Sequence, residues 1–453
     1  MKTLMSKGIL LPGLVAIFMV LACPVTAPAD AIFQDQIIHT FQQEGSNPAN
    51  GCTPDNAVTV VGNQLFGMAG GGTNGLGVIY SCNFDGSNYQ QPYSFAGAPD
   101  GKGAGAGAFL LSGTTLYGVT SSGGVTSSGA SDGTGTVFKI NSNGTGYTQL
   151  ATFATGTNPL YYQQGYAPTG SLVLVGSTLY GMTNNAYNAG PPSSPVGNIF
   201  SIPVTGGTPT SVHTFYTAAD HDSVSPWGSM TASGAMLYGM VSNGGNGGAG
   251  TIFSYNTNTS SYTTLHDFTT TDGYEPEGSL TLVGSTLYGL TCNGGANGLG
   301  TIFEMGTDGS NYQVLHSFGG MSMMDGDNKW RNGTIDFCSL TQVGTKLYGT
   351  TEFGGMWDDG TAFEMNLDGS GYQTIWNFGG GYMALPDGTN PDGSLTYVPS
   401  LNALAGTTLH DGLFSDYDNA DGTVYLIALP EPSSLGLLAF GALALLRPRR
   451  KTA

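Results

Sequence analysis

The sequence predicts an all-β fold: a seven-bladed β-propeller of four-stranded antiparallel blades. Three observations carry that prediction. A Leu-Tyr-Gly signature recurs with spacings of 51, 63, 58, 50, 60 and 57 residues. Each unit between signatures holds four short β-prone runs separated by Gly- and Asn-rich turns. Finally, the strand count is offset: seven first, second and third strands, but only six fourth strands after them. A period of about 50–60 residues with four strands per unit suits a propeller. A linear β-solenoid is the rival, and it has no need of a split unit.

The unit at 278–318 shows why each run is a strand. Ser279–Val283, Thr286–Thr291, Thr301–Met305 and Tyr312–Phe318 are rich in residues that fit a pleated surface. Gly284-Ser285 and Asp308-Gly309-Ser310 are tight-turn signals, because Gly reaches positive φ cheaply. The signatures run Leu65-Phe66-Gly67, Leu116-Tyr117-Gly118, Leu179-Tyr180-Gly181, Leu237-Tyr238-Gly239, Leu287-Tyr288-Gly289 and Leu347-Tyr348-Gly349, with a worn copy at Leu404-Ala405-Gly406. Fourth strands end in Phe95, Phe153, Phe215, Phe268, Phe318 and Phe378. The missing one is at the other end of the chain. Gln36–Phe41 (QIIHTF) matches Val314–Phe318 (VLHSF), so the N-terminal strand is expected to complete the last blade and remove an open edge.

The two ends read as addresses. Residues 1–31 carry Lys2 and Lys7, the apolar run Gly8–Ala22 and small residues up to Ala29-Asp30-Ala31, the pattern of a secretory signal peptide. Val20-Leu21-Ala22-Cys23 is a lipoprotein-like alternative. Residues 32–429 are the propeller, and 430–453 a tail. The tail's apolar run Leu435–Leu446 has 12 residues, against about 20 for a bilayer span. The basic cluster behind it would stay cytoplasmic, so the tail is expected to be a transient membrane segment.

Composition narrows the function. Of the 453 residues 74 are Gly, aromatics are 11% and charged residues only 9%. Between 32 and 429 only five basic residues face 28 acidic ones, about −23. Such a body repels phosphate backbones, which excludes nucleic acid as a partner. Of the four cysteines in that body, Cys52, Cys82, Cys292 and Cys338, the last two fall at the same end of neighbouring units and are the preferred disulfide; buried free thiols are the alternative.

Two resemblances follow from these residues. Pro430-Glu431-Pro432, the apolar run, and Arg447, Arg449, Arg450 and Lys451 resemble a PEP-CTERM sorting signal. That resemblance implies processing by a bacterial exosortase, release or attachment at the cell surface, and an exopolysaccharide or biofilm setting. The pattern Leu-Tyr-Gly-x-Thr, Gly-Thr-Ile-Phe and Asp-Gly-Ser-x-Tyr-x-x-Leu-His-Ser-Phe is similar to the Gloeo/Verruco (GloVer) tandem repeat, which implies no known activity.

Most motif residues read as structural. The signature tyrosines are expected to pack between blades, and His39, His213, His266 and His316 recur on fourth strands that point away from each other. Function is expected in the loops. Meander geometry puts the tight turns on one face and the long loops on the other. The long loops carry Trp227, Trp330, Trp357, Tyr162, Tyr274 and Tyr382 beside Asp222, Asp327 and Asp358. Aromatic plates beside carboxylates suit sugars, because rings cover C–H faces while acids accept hydroxyl hydrogen bonds. Packing of these aromatics on their own blades is the alternative. Asp325, Asp327, Asp416, Asp418 and Asp421 form fragments of calcium loops, without the full spacing of an EF-hand. Glu275 and Glu277 are the candidate acid and base of a polysaccharide-active enzyme, yet no Gly-x-Ser-x-Gly, HExxH or P-loop pattern accompanies them. The expected function is therefore non-enzymatic binding of extracellular polysaccharide or an envelope partner. A structural or protein-binding matrix component is the alternative.

Overall fold

The structure is a computed structural model; it describes residues 34–41, 51–54, 57–97, 100–104, 107–124, 134–153, 166–185, 195–216, 225–319, 339–379, 388–410 and 422–430. The expected signal peptide and all of the sorting tail beyond Pro430 lie outside the described residues. Every regular element among those described is a strand, and the strands form seven antiparallel sheets. The chain is a seven-bladed β-propeller.

Blade five is representative. Its strands Thr281–Val283, Thr286–Thr291, Thr301–Gly306 and Gln313–Ser317 pair in sequence order. Its first strand is shorter than expected. Ser279 and Leu280 leave the ladder because the Ser279 N–H bonds to the Ser339 hydroxyl of the next blade, at 2.7 Å, rather than to its own blade. The first turn, Gly284-Ser285, has φ +64° at its glycine, with open space around it, so glycine is needed there for conformation alone. Gly289 serves differently. A Cβ there would lie 2.4 Å from Cζ of Phe303, which covers it from the neighbouring strand. The outer turn closes on Asp308, whose Oδ1 accepts from the Ser310 N–H at 3.0 Å and its hydroxyl at 2.6 Å.

The last blade is built from both ends of the fold. Gln34–Thr40 pairs antiparallel with Thr423–Ala428, which pairs with Ala403–His410. Phe41 follows it and is fully buried, as are Phe95, Phe153, Phe215, Phe268 and Phe378 at the matching positions. The inner edge of this blade is split into Thr389–Pro391 and Thr396–Val398, both paired with Ala403–His410. Asn402 fastens the end of the fold: its Nδ2 donates to the Leu429 carbonyl at 3.1 Å.

The core is likewise divided. Seven apolar clusters sit one at each junction of neighbouring blades; that between blades four and five joins Tyr238, Met240 and Phe268 to Leu280, Leu287 and Phe303. The seventh joins Ile38, Phe41 and Val424 of the last blade to Leu65 and Tyr80 of the first. A fully buried Leu or Phe contributes about 1.5–3 kcal/mol, so the ring is held by seven comparable seams rather than by one centre.

Candidate functional site

Hydrogen bonds join neighbouring long loops where they are described. The connection from blade four to blade five meets blade five's own long loop through Tyr274 N–H to the Asn293 carbonyl at 2.8 Å and the return bond at 2.9 Å. Between blades six and seven, Asn390 N–H donates to the Asp359 carbonyl at 2.8 Å. Of the expected binding residues, Trp227, Tyr274, Trp357 and Asp358 are described, and they lie on such loops in different environments.

Trp357 is 47% exposed and its neighbour Met356 48%. Their loop is held from below: the Asn377 side-chain oxygen accepts the Met356 N–H at 2.9 Å, and Asp358 Oδ1 accepts the Gly354 N–H at 3.1 Å. Asp358 adopts φ +64°, a conformation short polar side chains tolerate. A loop held by these two bonds thus presents an indole and the exposed Asp358 to solvent. Trp227 is half-buried, directly before Gly228. Tyr274 is half-buried too, and the Glu275 charge beside it raises its hydroxyl pKa. Glu275 itself accepts from Asn293 Nδ2 at 2.6 Å. Trp330, Tyr162, Tyr382, Asp222, Asp325, Asp327, Asp416, Asp418, Asp421 and Cys338 lie outside the described residues. The calcium fragments and the Cys292–Cys338 pair are therefore not described.

The repeated motif residues are structural. Tyr117, Tyr238, Tyr288 and Tyr348 are buried between blades. Each recurrent histidine stacks flat on a tyrosine of the next blade: His39 on Tyr89 at 3.9 Å, and His213 on Tyr262, His266 on Tyr312 at 3.8 Å, and His316 on Tyr372 at 3.9 Å. Burial lowers His39 and His213 to about 4, so both are neutral rings at physiological pH. Cys82 is buried and its thiol is pushed up to about 12, which makes it inert.

A second feature was missed by the sequence reading. The segments that begin the blades line an axial cavity of about 270 Å³ to which all seven blades contribute. Ser171, Ser229, Ser279, Ser339 and Ser394 supply five hydroxyls, and Ala57 and Ala108 stand at the two remaining positions. The serines are linked blade to blade. N–H of Ser171 donates to Ser229 Oγ at 2.6 Å, Ser229 to Ser279 at 2.8 Å, Ser279 to Ser339 at 2.7 Å and Ser339 to Ser394 at 2.9 Å. Threonines two residues on repeat the linkage: Thr231 to the Leu280 carbonyl, Thr281 to Leu340, and Thr396 to Val58 at 2.6 Å across the closing seam. The signal was present as a recurring Pro-x-Gly-Ser: Pro168–Ser171, Pro226–Ser229, Pro276–Ser279 and Pro391–Ser394. Its glycines allow close approach; a Cβ on Gly228 would lie 2.1 Å from the Gly278 carbonyl oxygen.

The sequence profile of the family described as the Gloeobacter/Verrucomicrobia repeat matches residues 192–425. No curated protein matches the sequence. Solved structures with a similar fold include a nidogen/laminin complex, at 14% identity over 69% of this chain and 93% of that one, TM-score 0.39. A phage phi92 endosialidase is similar at 12% identity over 93% and 71%, TM-score 0.42. A europium-containing methanol dehydrogenase is similar at 10% identity over 87% and 93%, TM-score 0.49.

Proposed function

For this chain, which belongs to the Gloeobacter/Verrucomicrobia repeat family, we propose a non-enzymatic binding role outside the cell, with polysaccharide held on the long-loop face. The observation that carries the reading is Trp357: an indole left 47% exposed on a hydrogen-bonded loop, next to the Asp358 carboxylate. A flat apolar plate beside an acceptor matches the alternating C–H and hydroxyl faces of a sugar. Export through residues 1–31 and handover to an exosortase at Pro430-Glu431-Pro432 belong to the same reading. Intact-mass analysis of protein recovered from the producing cells tests them: a product keeping Arg447–Lys451 contradicts processing.

The binding test is a titration of the protein against a panel of neutral and acidic polysaccharides, with and without Ca²⁺. Trp357→Ala should weaken the best binder about 5- to 150-fold, since loss of one stacked ring costs about 1–3 kcal/mol by analogy with aromatic stacking on bases. Unchanged affinity in that variant, or no binding by any glycan, removes the proposal. A protein partner is the second reading, favoured by Met356, whose flexible thioether suits an adaptable protein contact.

A further inference from the structure

We propose that the axial cavity is a second binding site, which takes a single neutral, hydroxylated ring such as the terminal sugar of a chain. The inference rests on the polysaccharide reading above and adds where a chain end would sit.

The argument begins with hydrogen-bond counting. Ser229, Ser279 and Ser339 each accept an N–H from the preceding blade, which uses one lone pair of Oγ. A hydroxyl has one donor and two acceptor positions. Among the described residues none of these three hydroxyls donates to another protein group, so three O–H donors from neighbouring blades are left for whatever fills the axis. The repeated backbone linkage holds each Oγ in place, so little beyond rotation of the O–H is lost on binding, which is the benefit of a preorganised site.

Shape and charge then select the occupant. The cavity holds about 270 Å³, just below the range of about 300–1,000 Å³ for clefts that hold drug-sized molecules. That suits one ring. No Lys or Arg lines it, Asp392 directly precedes one of its lining segments and Glu277 stands two residues before another, in a body of strongly negative charge. An anion would meet donors but no countercharge, whereas a neutral polyol offers acceptors without that conflict. The site is also two-sided: an arc of five serines faces Ala57 and Ala108, whose methyls offer an apolar edge to the C–H face of a ring. Because the lining segments leave the blade-to-blade connections, the cavity lies toward the same face as Trp357.

The test uses the full chain, with glucose, galactose, mannose and N-acetylglucosamine as single-ring probes, dextran as a polymer and inorganic sulfate as an anion, followed by ligand-observed NMR. At least one sugar should bind. Ser279→Thr, which keeps the hydroxyl and adds a methyl to the cavity, should weaken it at least tenfold. The Ser229→Ala/Ser279→Ala double variant should do the same, while Leu401→Ala, at an exposed side chain outside the cavity lining, leaves single-ring binding within twofold. Unchanged binding in Ser279→Thr protein with native circular dichroism overturns the assignment, as does displacement of the sugar by sulfate. Polymer binding that depends on Trp357, with no single-ring binding at all, overturns the axial site and leaves the proposed function standing. Absence of both removes the two together.

Discussion

Truncating Phe41 to alanine probes the ring where it is joined. Phe41 has no exposed surface, meets Tyr80 edge-on at 5.1 Å, and its N–H donates to the Gly422 carbonyl at 3.1 Å. It packs with Val58 and Leu65 from the first blade and with Val424 and Leu426 from the last. Removing a buried phenylalanine ring costs about 3–5 kcal/mol, of which about 0.5–1.5 kcal/mol reflects the edge-on aromatic pair. Phe268→Ala is the matched control. It occupies the same place in an uninterrupted blade, is equally buried and lies 5.4 Å from Phe303. Urea denaturation followed by both fluorescence and far-UV circular dichroism should show comparable losses for the two, since coincident probes license a single free energy. Leu111→Ala, at a side chain 37% exposed, should stay within about 0.5 kcal/mol of the parent. A large loss for Phe268→Ala with almost none for Phe41→Ala would refute closure by the N-terminal strand.

Two further predictions concern the packing between blades. His39 and His213, held near 4 by burial, are neutral when folded but titrate near 6.5 when unfolded. Their stabilisation is complete above pH 6.5 and fades as the pH falls toward 4; allowing for solvent screening of these partly exposed rings, it amounts to about 1–2 kcal/mol each. Asp85, Asp308 and Asp368 are held below the ordinary aspartate range by serine hydroxyls, so their contribution is lost only at lower pH. Urea midpoints should therefore drop between pH 7 and 5, and a His39→Phe/His213→Phe protein should lose part of that drop, the remainder including His266, which burial also lowers; an identical slope contradicts the assignment. Gly289→Ala forces a methyl against Phe303 and should cost about 1–3 kcal/mol. Gly284→Ala, in open space at φ +64°, should cost only the left-handed backbone penalty of about 1–2 kcal/mol. A Gly284→Ala loss clearly exceeding that of Gly289→Ala would contradict the distinction between space and conformation.

The architecture was legible because repetition turns weak local signals into strong ones. A single Gly284-Ser285 is a modest turn signal; the same turn glycine at 62, 113, 176, 234, 284 and 344, always at φ near +60°, is a rule. The offset between Gln36–Phe41 and the last unit was readable for the same reason. Strand starts were less so. Ser279 and Leu280 look like strand residues, and nothing local reveals that their hydrogen bonds leave the blade. The axial arc was hidden by its plainness: serine after glycine suits any turn, and only the bonds between blades make those hydroxyls converge. The loop face resists for the opposite reason. The loop that carries Trp357 recurs with the same length at 71–77, 244–250 and 294–300, but Asn74, Gly247 and Asn297 stand where it has the indole, so no recurrence interprets Trp357.

The order of synthesis sets a problem for this ring. Gln34–Thr40 emerges ahead of every other described strand, yet its partner, Thr423–Ala428, is the last of them to be made. Six blades can assemble while their eventual latch waits as a loose extended segment, and the unfinished seventh blade offers an unpaired rim to any matching strand in reach. A neighbouring molecule carries the same latch. At high local concentration, rings stapled in trans into dimers or chains therefore compete with self-closure.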